Sequence, residues 1–309
     1  MLRTSRRELV ELARFAPNYH KPFDLSKPLR PFQREISPKL RPIDNPRGEL
    51  KKIQRRINRT LLRPICFPAN VLGAVPKRSV IDNAELHLKA RLLVTIDVKS
   101  CFPSITNKHV YDVWRTFLNC STPVAQILTR LTTFERHLPQ GAATSPLLAN
   151  LFIWSIDRVI REECVARDVV YSTWLDDLAF SGERSRELVP ISAKILQGHR
   201  LRISRSKVQI MGPRQIKLLT GTRLGAASVR APRQKLLRVR SGIHKLRTGM
   251  VSPEDQVRFI DGLIGQLEYI GRLHKKDSYS LSKALLATAD SMPTSSRAKK
   301  FLAKVKASS

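Results

Sequence analysis

The stretch Tyr171-Ser172-Thr173-Trp174-Leu175-Asp176-Asp177-Leu178-Ala179-Phe180-Ser181-Gly182 decides the fold. Two β-prone runs flank a pair of adjacent aspartates, and a two-residue link between such runs reads as a tight hairpin, with Asp tolerated at its turn positions. Such a hairpin holds both carboxylates at its tip, where they repel one another unless a cation lies between them. Hard divalent ions such as Mg²⁺ take oxygen ligands of this kind. Read alone, Asp-Asp is better taken as a solvated turn, and only the rest of the chain raises the functional reading.

The chain has 309 residues, enough for one large domain or two to three lobes sharing a core. Its hydrophobic share of 42% is ample for a globular protein. Lys and Arg total 56 against 25 acids, a net charge of +31, and the pI is near 10.9. The basic residues are spread along the whole chain, so the charge is not that of a detachable tail. A charge this large needs a polyanionic partner or it works against compactness. Nucleic acid is the leading candidate, with several phosphate contacts and steep salt dependence. A membrane is the runner-up, but no apolar run of about 18 residues spans a bilayer. The N-terminus lacks the apolar core of a signal peptide. Cys66, Cys101, Cys120 and Cys164 are widely separated with no C-x-x-C pair, which argues against a zinc site or a redox motif; they read as reduced core residues.

Along the chain, Ser5-Arg6-Arg7-Glu8 fits a capping box, and Leu9, Leu12 and Ala13 follow at helical spacing to near Asn18. From Tyr19 to Asp44, Pro and basic residues surround short strand-like pieces, Pro22-Phe23-Asp24-Leu25 and Leu40-Arg41-Pro42-Ile43, which predict a small antiparallel ribbon. Glu49 to Leu62 is an amphipathic helix with Leu50, Ile53, Ile57 and Leu61 on one stripe. Its remaining face carries Lys51, Lys52, Arg55, Arg56 and Arg59 and a single acid, which fits phosphate as well as it fits solvent. Leu92 to Ile96 reads as a buried strand ending at Asp97. Helical patterns occupy 107–118 and 123–134. The turn-rich loop Leu138-Pro139-Gln140-Gly141-Ala142-Ala143-Thr144-Ser145-Pro146 then feeds an apolar helix from about Leu147 to Cys164. After the hairpin come a helix around 185–198, short strands near 201–211 and 217–221, and helices over 232–247, 253–273 and 279–289. Pro253 sits at the first position of the second of these helices.

Three elements stand out: an Asp ending a buried strand, a Pro-Gln-Gly loop entering a helix, and the Asp-Asp hairpin. If Asp97 lies beside Asp176 on one sheet, three carboxylates converge. That is enough to hold two Mg²⁺ ions, which can activate a 3′-hydroxyl and stabilise leaving pyrophosphate. A basic chain around a two-metal acidic site describes a polymerase or a nuclease, and scarce His with few acids favours polymerisation.

The order of these motifs resembles that of a reverse transcriptase, and in detail that of a bacterial retron reverse transcriptase. Val94 to Ile105 resembles the family's first catalytic motif, an Asp followed by an aromatic pair and Pro-Ser. Leu138 to Asn150, LPQGAATSPLLAN, resembles the second almost letter for letter. Trp174-Leu175-Asp176-Asp177 stands where the family has Tyr-x-Asp-Asp, Lys207 where the next strand carries a lysine, and Leu219-Thr220-Gly221 where the family has Val-Thr-Gly. Asn83-Ala84-Glu85-Leu86-His87 is similar to the Asn-Ala-x-x-His element that separates retron enzymes from other bacterial reverse transcriptases. Pro46 to Gln54 looks like the finger helix. The resemblance spans roughly residues 19 to 275.

Residue by residue, the resemblance implies Asp97 and Asp176 as principal metal ligands, with Asp177 completing the site, and two Mg²⁺ ions as cofactors. It implies Phe102 beneath the nucleotide sugar, Gln140 and the Gly141 backbone lining the nucleotide and template pocket, Lys207 protonating pyrophosphate, and Arg41 gripping the triphosphate. His87 either contacts RNA or is a hydrogen-bonded structural histidine. Trp174 replaces the usual Tyr, Leu175 replaces a frequently small residue and would face the primer end or nucleotide, and Lys99, Ser100 and Cys101 are also atypical.

The expected fold is therefore α+β, a right hand of fingers, palm with antiparallel sheet, and small helical thumb. The expected divisions are an N-terminal helix at 1–18, fingers at 19–90 (with 107–140 shared between fingers and palm), palm at 91–228, RNA-binding thumb at 229–295 and a disordered basic tail at 296–309. No room is expected for a ribonuclease H domain or a long maturase extension. By charge, Lys51, Arg55, Lys235, Arg238, Arg240, Lys245 and Arg247 are candidates for RNA contact. The implied function is RNA-directed DNA synthesis, in a bacterial cytoplasm, on the enzyme's own structured noncoding RNA, primed from an internal guanosine 2′-hydroxyl. The implied partners are that RNA, its single-stranded DNA product, dNTPs and a separate effector protein of anti-phage defence, with no membrane. The rivals are another bacterial reverse transcriptase and a catalytically silent RNA-binding polymerase fold.

Overall fold

The computed structural model of the protein describes residues 4–22, 43–289 and 292–307. Arg41 and most of the Tyr19–Asp44 ribbon therefore lie outside the described residues. The chain divides into two compact units, Met1–Gln215 and Ile216–Ser309.

In the first unit, Ser5 caps α1 (Arg6–Phe15) as the sequence predicts. Its Oγ accepts from Glu8 N, and the Glu8 carboxylate accepts from Ser5 N. Strands β1 (His20–Pro22) and β2 (Asp44–Pro46) pair antiparallel, His20 opposite Pro46. In α2 (Gly48–Ile57), Leu50, Ile53 and Ile57 turn into the core with Gln54, whose Nε2 donates to Leu131 O at 2.9 Å. Each aliphatic side chain so buried stabilises by about 1.5–3 kcal/mol. The helix continues as a π-helical stretch, Asn58–Leu62.

Next come α3 (Val80–Glu85), β3 (Leu93–Asp97), α4 (Cys101–Ser104), α5 (Asn107–Asp112) and α6 (Thr122–Thr132). The apolar helix expected from Leu147 to Cys164 is two helices, α7 (Ser145–Ile156) and α8 (Arg158–Val165). They break at Asp157, whose buried carboxylate pairs with Arg161 one turn on. Strands β4 (Val170–Trp174) and β5 (Asp177–Ser181) follow, then α9 (Leu188–Gly198) and β6 (Gln209–Met211). The sheet order is β4-β5-β3-β6, all antiparallel. α7, buried on nearly every face, contributes Leu147, Leu148, Leu151 and Phe152 to the same core as Val94 and Ile96 of β3 and Phe180 of β5. This explains its lack of a polar stripe.

The second unit opens with a small antiparallel sheet of β7 (Leu218–Leu219), β8 (Thr222–Leu224) and β9 (Val229–Arg230). Helices α10 (Arg233–Arg247), α11 (Pro253–Leu273) and α12 (Lys275–Ala289) pack through Val239, Ile243, Leu263, Leu267, Ile270 and Leu285. The tail expected to be disordered instead forms α13 (Ser296–Ala307). Ala298, Leu302 and Val305 recur at helical spacing and are buried, a stripe that the surrounding lysines obscure in composition. Among the described residues, no helix is long and apolar enough to cross a membrane. No cysteine is paired; Cys101 and Cys164 are buried, whereas Cys66 is exposed.

Candidate active site

β3 ends on Asp97, which stands directly opposite Asp177 of β5. The hairpin is real, but its turn lies one residue earlier than expected. Trp174 pairs with Asp177, so Leu175 and Asp176 form the link and Asp177 belongs to the strand. The two aspartates thus play different structural parts, one at the tip and one in the ladder. Leu175 adopts φ 58°, a left-handed conformation uncommon for a bulky residue. The Asp176 carbonyl accepts from Val98 N at 2.8 Å, which fastens the tip to the chain leaving β3.

On the other side of β3, Ser204 N donates to Asp97 O at 2.7 Å and Lys99 N to Arg202 O at 2.7 Å. A 3₁₀ turn, Arg205–Lys207, then brings Lys207 Nζ to Asp97 Oδ1 at 2.5 Å. Burial pushes the Asp177 carboxyl up to about 6, the Asp176 and Asp97 charges add to the rise, and Lys207 opposes it. The three carboxylates therefore feel one another, and one ammonium answers them in part. Cys101, at the start of the following helix, is buried, and burial, with the Asp176 and Asp97 charges adding to it, holds its thiol far above the ordinary range. Phe102, in α4, is half-buried against the core.

Among the described residues, no three His, Cys, Asp or Glu side chains already form a metal cage. The donor set nevertheless suits a hard divalent cation. Mg²⁺ is commonly bound by one or two carboxylates completed by substrate phosphates, not by an all-protein cage. Burial first, and then the Asp176 and Asp97 charges, raise the Asp177 carboxyl against the opposing pull of Lys207.

The Pro-Gln-Gly loop is held from the ribbon. Gln140 N donates to Asp44 Oδ2 at 3.2 Å, and His137 Nε2 lies 3.5 Å from the same oxygen. Gly141 has φ 115°, and a Cβ there would stand 2.8 Å from Ile43 Cγ2, so only glycine fits. Leu138 N donates to Ile105 O at 2.9 Å and Ser145 Oγ to Pro139 O at 2.8 Å. Asp44 carries no sequence signal of this role.

His87 is a buried structural histidine, 1% exposed. Its Nδ1 lies 2.6 Å from Ser181 Oγ and its Nε2 2.8 Å from Ser172 Oγ. Ser172 gives its one proton to Asn83 Oδ1 at 2.6 Å, so Nε2 of His87 is the protonated nitrogen and Nδ1 accepts from Ser181. Burial pulls this imidazole down to about 4. The Asn-Ala-x-x-His element thereby ties the end of α3 to both strands of the aspartate hairpin.

Of the charge-based candidates, Arg55 is exposed and Lys51 half-buried on α2. In the second unit Arg238, Arg240 and Arg247 are exposed on α10, and Lys245 is half-buried. Lys235 stands apart, its ammonium 3.9 Å over the ring of Tyr269. The Tyr269 hydroxyl donates to Gly221 O at 3.3 Å, so this pair supports the Leu219-Thr220-Gly221 turn.

The family model described as reverse transcriptase (RNA-dependent DNA polymerase) matches residues 31–222, more than half of the chain. The chain belongs to that family and is by class an RNA-directed DNA polymerase. Within the family its resemblance is to the bacterial retron enzymes. The retron Ec86 reverse transcriptase of Escherichia coli is 29% identical over 250 residues, covering 77% of this chain and 78% of the relative. The retron Se72 reverse transcriptase of Salmonella heidelberg is 29% identical over 178 residues, covering 56% of this chain but only 47% of the relative. Among solved structures, telomerase from Candida albicans in complex with a fragment of telomeric RNA aligns at a TM-score of 0.43 and 9% identity, over 84% of this chain and 54% of that one. The mixed helices and antiparallel sheet are those of the right-hand polymerase fold.

Proposed function

We propose that this chain is the polymerase of a retron. It copies its own structured noncoding RNA into a branched, multicopy single-stranded DNA, starting from an internal guanosine 2′-hydroxyl. The single observation that carries the polymerase chemistry is the register that sets Asp97 opposite Asp177 with Asp176 at the adjoining turn.

In this reading Asp97, Asp176 and Asp177 hold two Mg²⁺ ions, which when bound supply charge stabilisation for the attacking hydroxyl and for pyrophosphate. Lys207, already beside Asp97, delivers a proton to the leaving pyrophosphate. Phe102 forms the wall that excludes a ribose 2′-hydroxyl, and Gln140 with the Gly141 backbone orients nucleotide and template. Arg41, outside the described residues, grips the triphosphate. Lys51, Arg55, Lys235, Arg238, Arg240, Lys245 and Arg247 hold RNA, consistent with a net charge of +31. We assign fingers to 19–90, palm to 91–228 and thumb to 229–295. The complex acts in the bacterial cytoplasm with a separate effector protein in anti-phage defence.

The test is the nucleic acid that co-purifies with the protein. A branched species with RNase- and DNase-sensitive parts is expected, and its DNA should vanish in Asp176→Ala. Recovery of RNA alone from wild-type protein would sink the retron reading. Unbranched cDNA would favour another bacterial reverse transcriptase.

A further inference from the structure

The segment Pro68–Gly73 has no part in the roles above, yet it touches the tip of the aspartate hairpin. Thr173 N donates to Asn70 O at 2.7 Å and Leu72 N to Thr173 O at 3.0 Å, and Val71 bridges Thr173 in parallel. The segment therefore runs as a strap along the outer edge of β4. One residue of α7 holds it by a hydrogen bond. Asn150, 2% exposed, donates from Nδ2 to Gly73 O at 2.5 Å. Asp157, where α7 ends, has the Asn70 and Tyr171 side chains beside its carboxylate.

The strap ends pressed against the turn. A Cβ at Gly73 would stand 2.5 Å from Leu175 N, 2.9 Å from Trp174 C and 3.0 Å from Leu175 Cγ. Position 73 thus tolerates no side chain, and the Leu175 side chain packs over the bare backbone there. Leu175 is also the residue held at φ 58°, a conformation that costs a residue with a Cβ about 1–2 kcal/mol and persists only where its surroundings enforce it. What lies against it is Gly73, and what holds Gly73 is Asn150. The next residue is Asp176.

We infer that Asn150 and Gly73 are positioning residues for polymerisation. The strap latched by Asn150 fixes the strained turn at Leu175, and through it the position of the Asp176 carboxylate. The inference rests on the proposed role of Asp176 as a metal ligand. It also accounts for the substitution of Leu at this turn: Leu175 is matched to a glycine across from it, not to open space above the primer end.

The test uses the full chain with Asn150→Ala, Asn150→Asp, Gly73→Ala and the double variant Gly73→Ala/Leu175→Gly. Three readouts are taken: melting temperature in chelator, the rise in melting temperature on titrating Mn²⁺ without substrates, and kcat and KM for dTTP on poly(rA)/oligo(dT). Asn150→Ala and Asn150→Asp should leave KM for dTTP within about twofold while kcat falls on the order of 100-fold, the scale expected of a small misplacement. The Mn²⁺ concentration giving half the thermal shift should rise several-fold. Leu175→Gly should recover part of the kcat lost in Gly73→Ala, because glycine accepts positive φ and removes the opposing Cγ. A kcat loss that merely tracks the folded fraction, or unchanged Mn²⁺ response in Asn150→Ala, would overturn the inference. Should wild-type protein fail to polymerise at all, the functional reading falls, and the substrate-free Mn²⁺ titration still decides whether Asn150 sets the carboxylate.

Discussion

Asp97 and Asp177 are direct partners across the β3–β5 ladder, two acids facing one another where opposite charges or apolar pairs would stabilise the sheet. The arrangement costs the sheet stability, and in the proposed function it is where the divalent cations bind. Asp177→Asn should therefore abolish DNA synthesis while raising stability in chelating buffer by up to about 1 kcal/mol, the scale of a cross-strand like-charge pair. Denaturant melts beside primer extension check this; a less stable Asp177→Asn protein would contradict it.

Lys207 reaches the same site from the opposite edge of β3, at 2.5 Å from Asp97 Oδ1. In its proposed role as proton donor to pyrophosphate, its removal should cost about 100-fold in kcat, at the lower end of general acid catalysis. KM for dNTP should change little in Lys207→Ala. Single-turnover primer extension provides the measurement, and a change confined to KM would assign Lys207 to nucleotide binding instead.

Two buried groups give stability opposite slopes with pH. His87 is held down to about 4 by burial against an ordinary 6.5. The unfolded chain therefore binds its proton first, and the stability His87 contributes is present above pH 6.5 and lost as pH falls toward 4. About 3 kcal/mol is at stake at 1.36 kcal/mol per unit. Asp157 is pushed up to about 6 from 3.8 by burial, against the pull of Arg161. Its term runs the other way, favouring the fold below 3.8 and fading as pH rises through 6. His87→Phe should flatten the acid decline of stability between pH 6.5 and 4. It should also cost about 1–3 kcal/mol at pH 7, because it strands the buried Ser181 hydroxyl, whereas Ser172 keeps its bond to Asn83. Urea melts at stepped pH read both effects; an acid decline as steep as in wild type would refute the assignment to His87.

Helix α13 buries Leu302. Leu302→Ala should destabilise the second unit by about 2 kcal/mol, at the lower end for a buried leucine. Residues 296–307 should resist limited proteolysis in wild type and become cleavable in the variant. Equal cleavage in both would show that the helix does not dock.

Much of this architecture is local and was legible as such. The capping box at Ser5 and Glu8, the stripe of Leu50, Ile53 and Ile57, the strand ending at Asp97 and the Pro253 helix start all follow from spacing and residue type. The order of the motifs carried the family. The tail reads as disordered because its lysines dominate composition, while the buried Ala298, Leu302 and Val305 dock it as a helix.

What the sequence by itself determined is most of the helices and strands, since these depend on neighbours a few residues away. Only the tertiary structure decided that Asp176 takes the turn and Asp177 the ladder, that Asp44 holds the Pro-Gln-Gly loop, and that Gly73 and Asn150 brace Leu175. Gln140 and Asp44 are 96 residues apart, His87 and Ser181 are 94, and Asn150 and Gly73 are 77. Contacts at such separations form only when the whole core closes and leave no periodicity in the chain. The close approach of Gly73 to Leu175 at the hairpin turn is likewise a contact that no run of residues around Asp176 records.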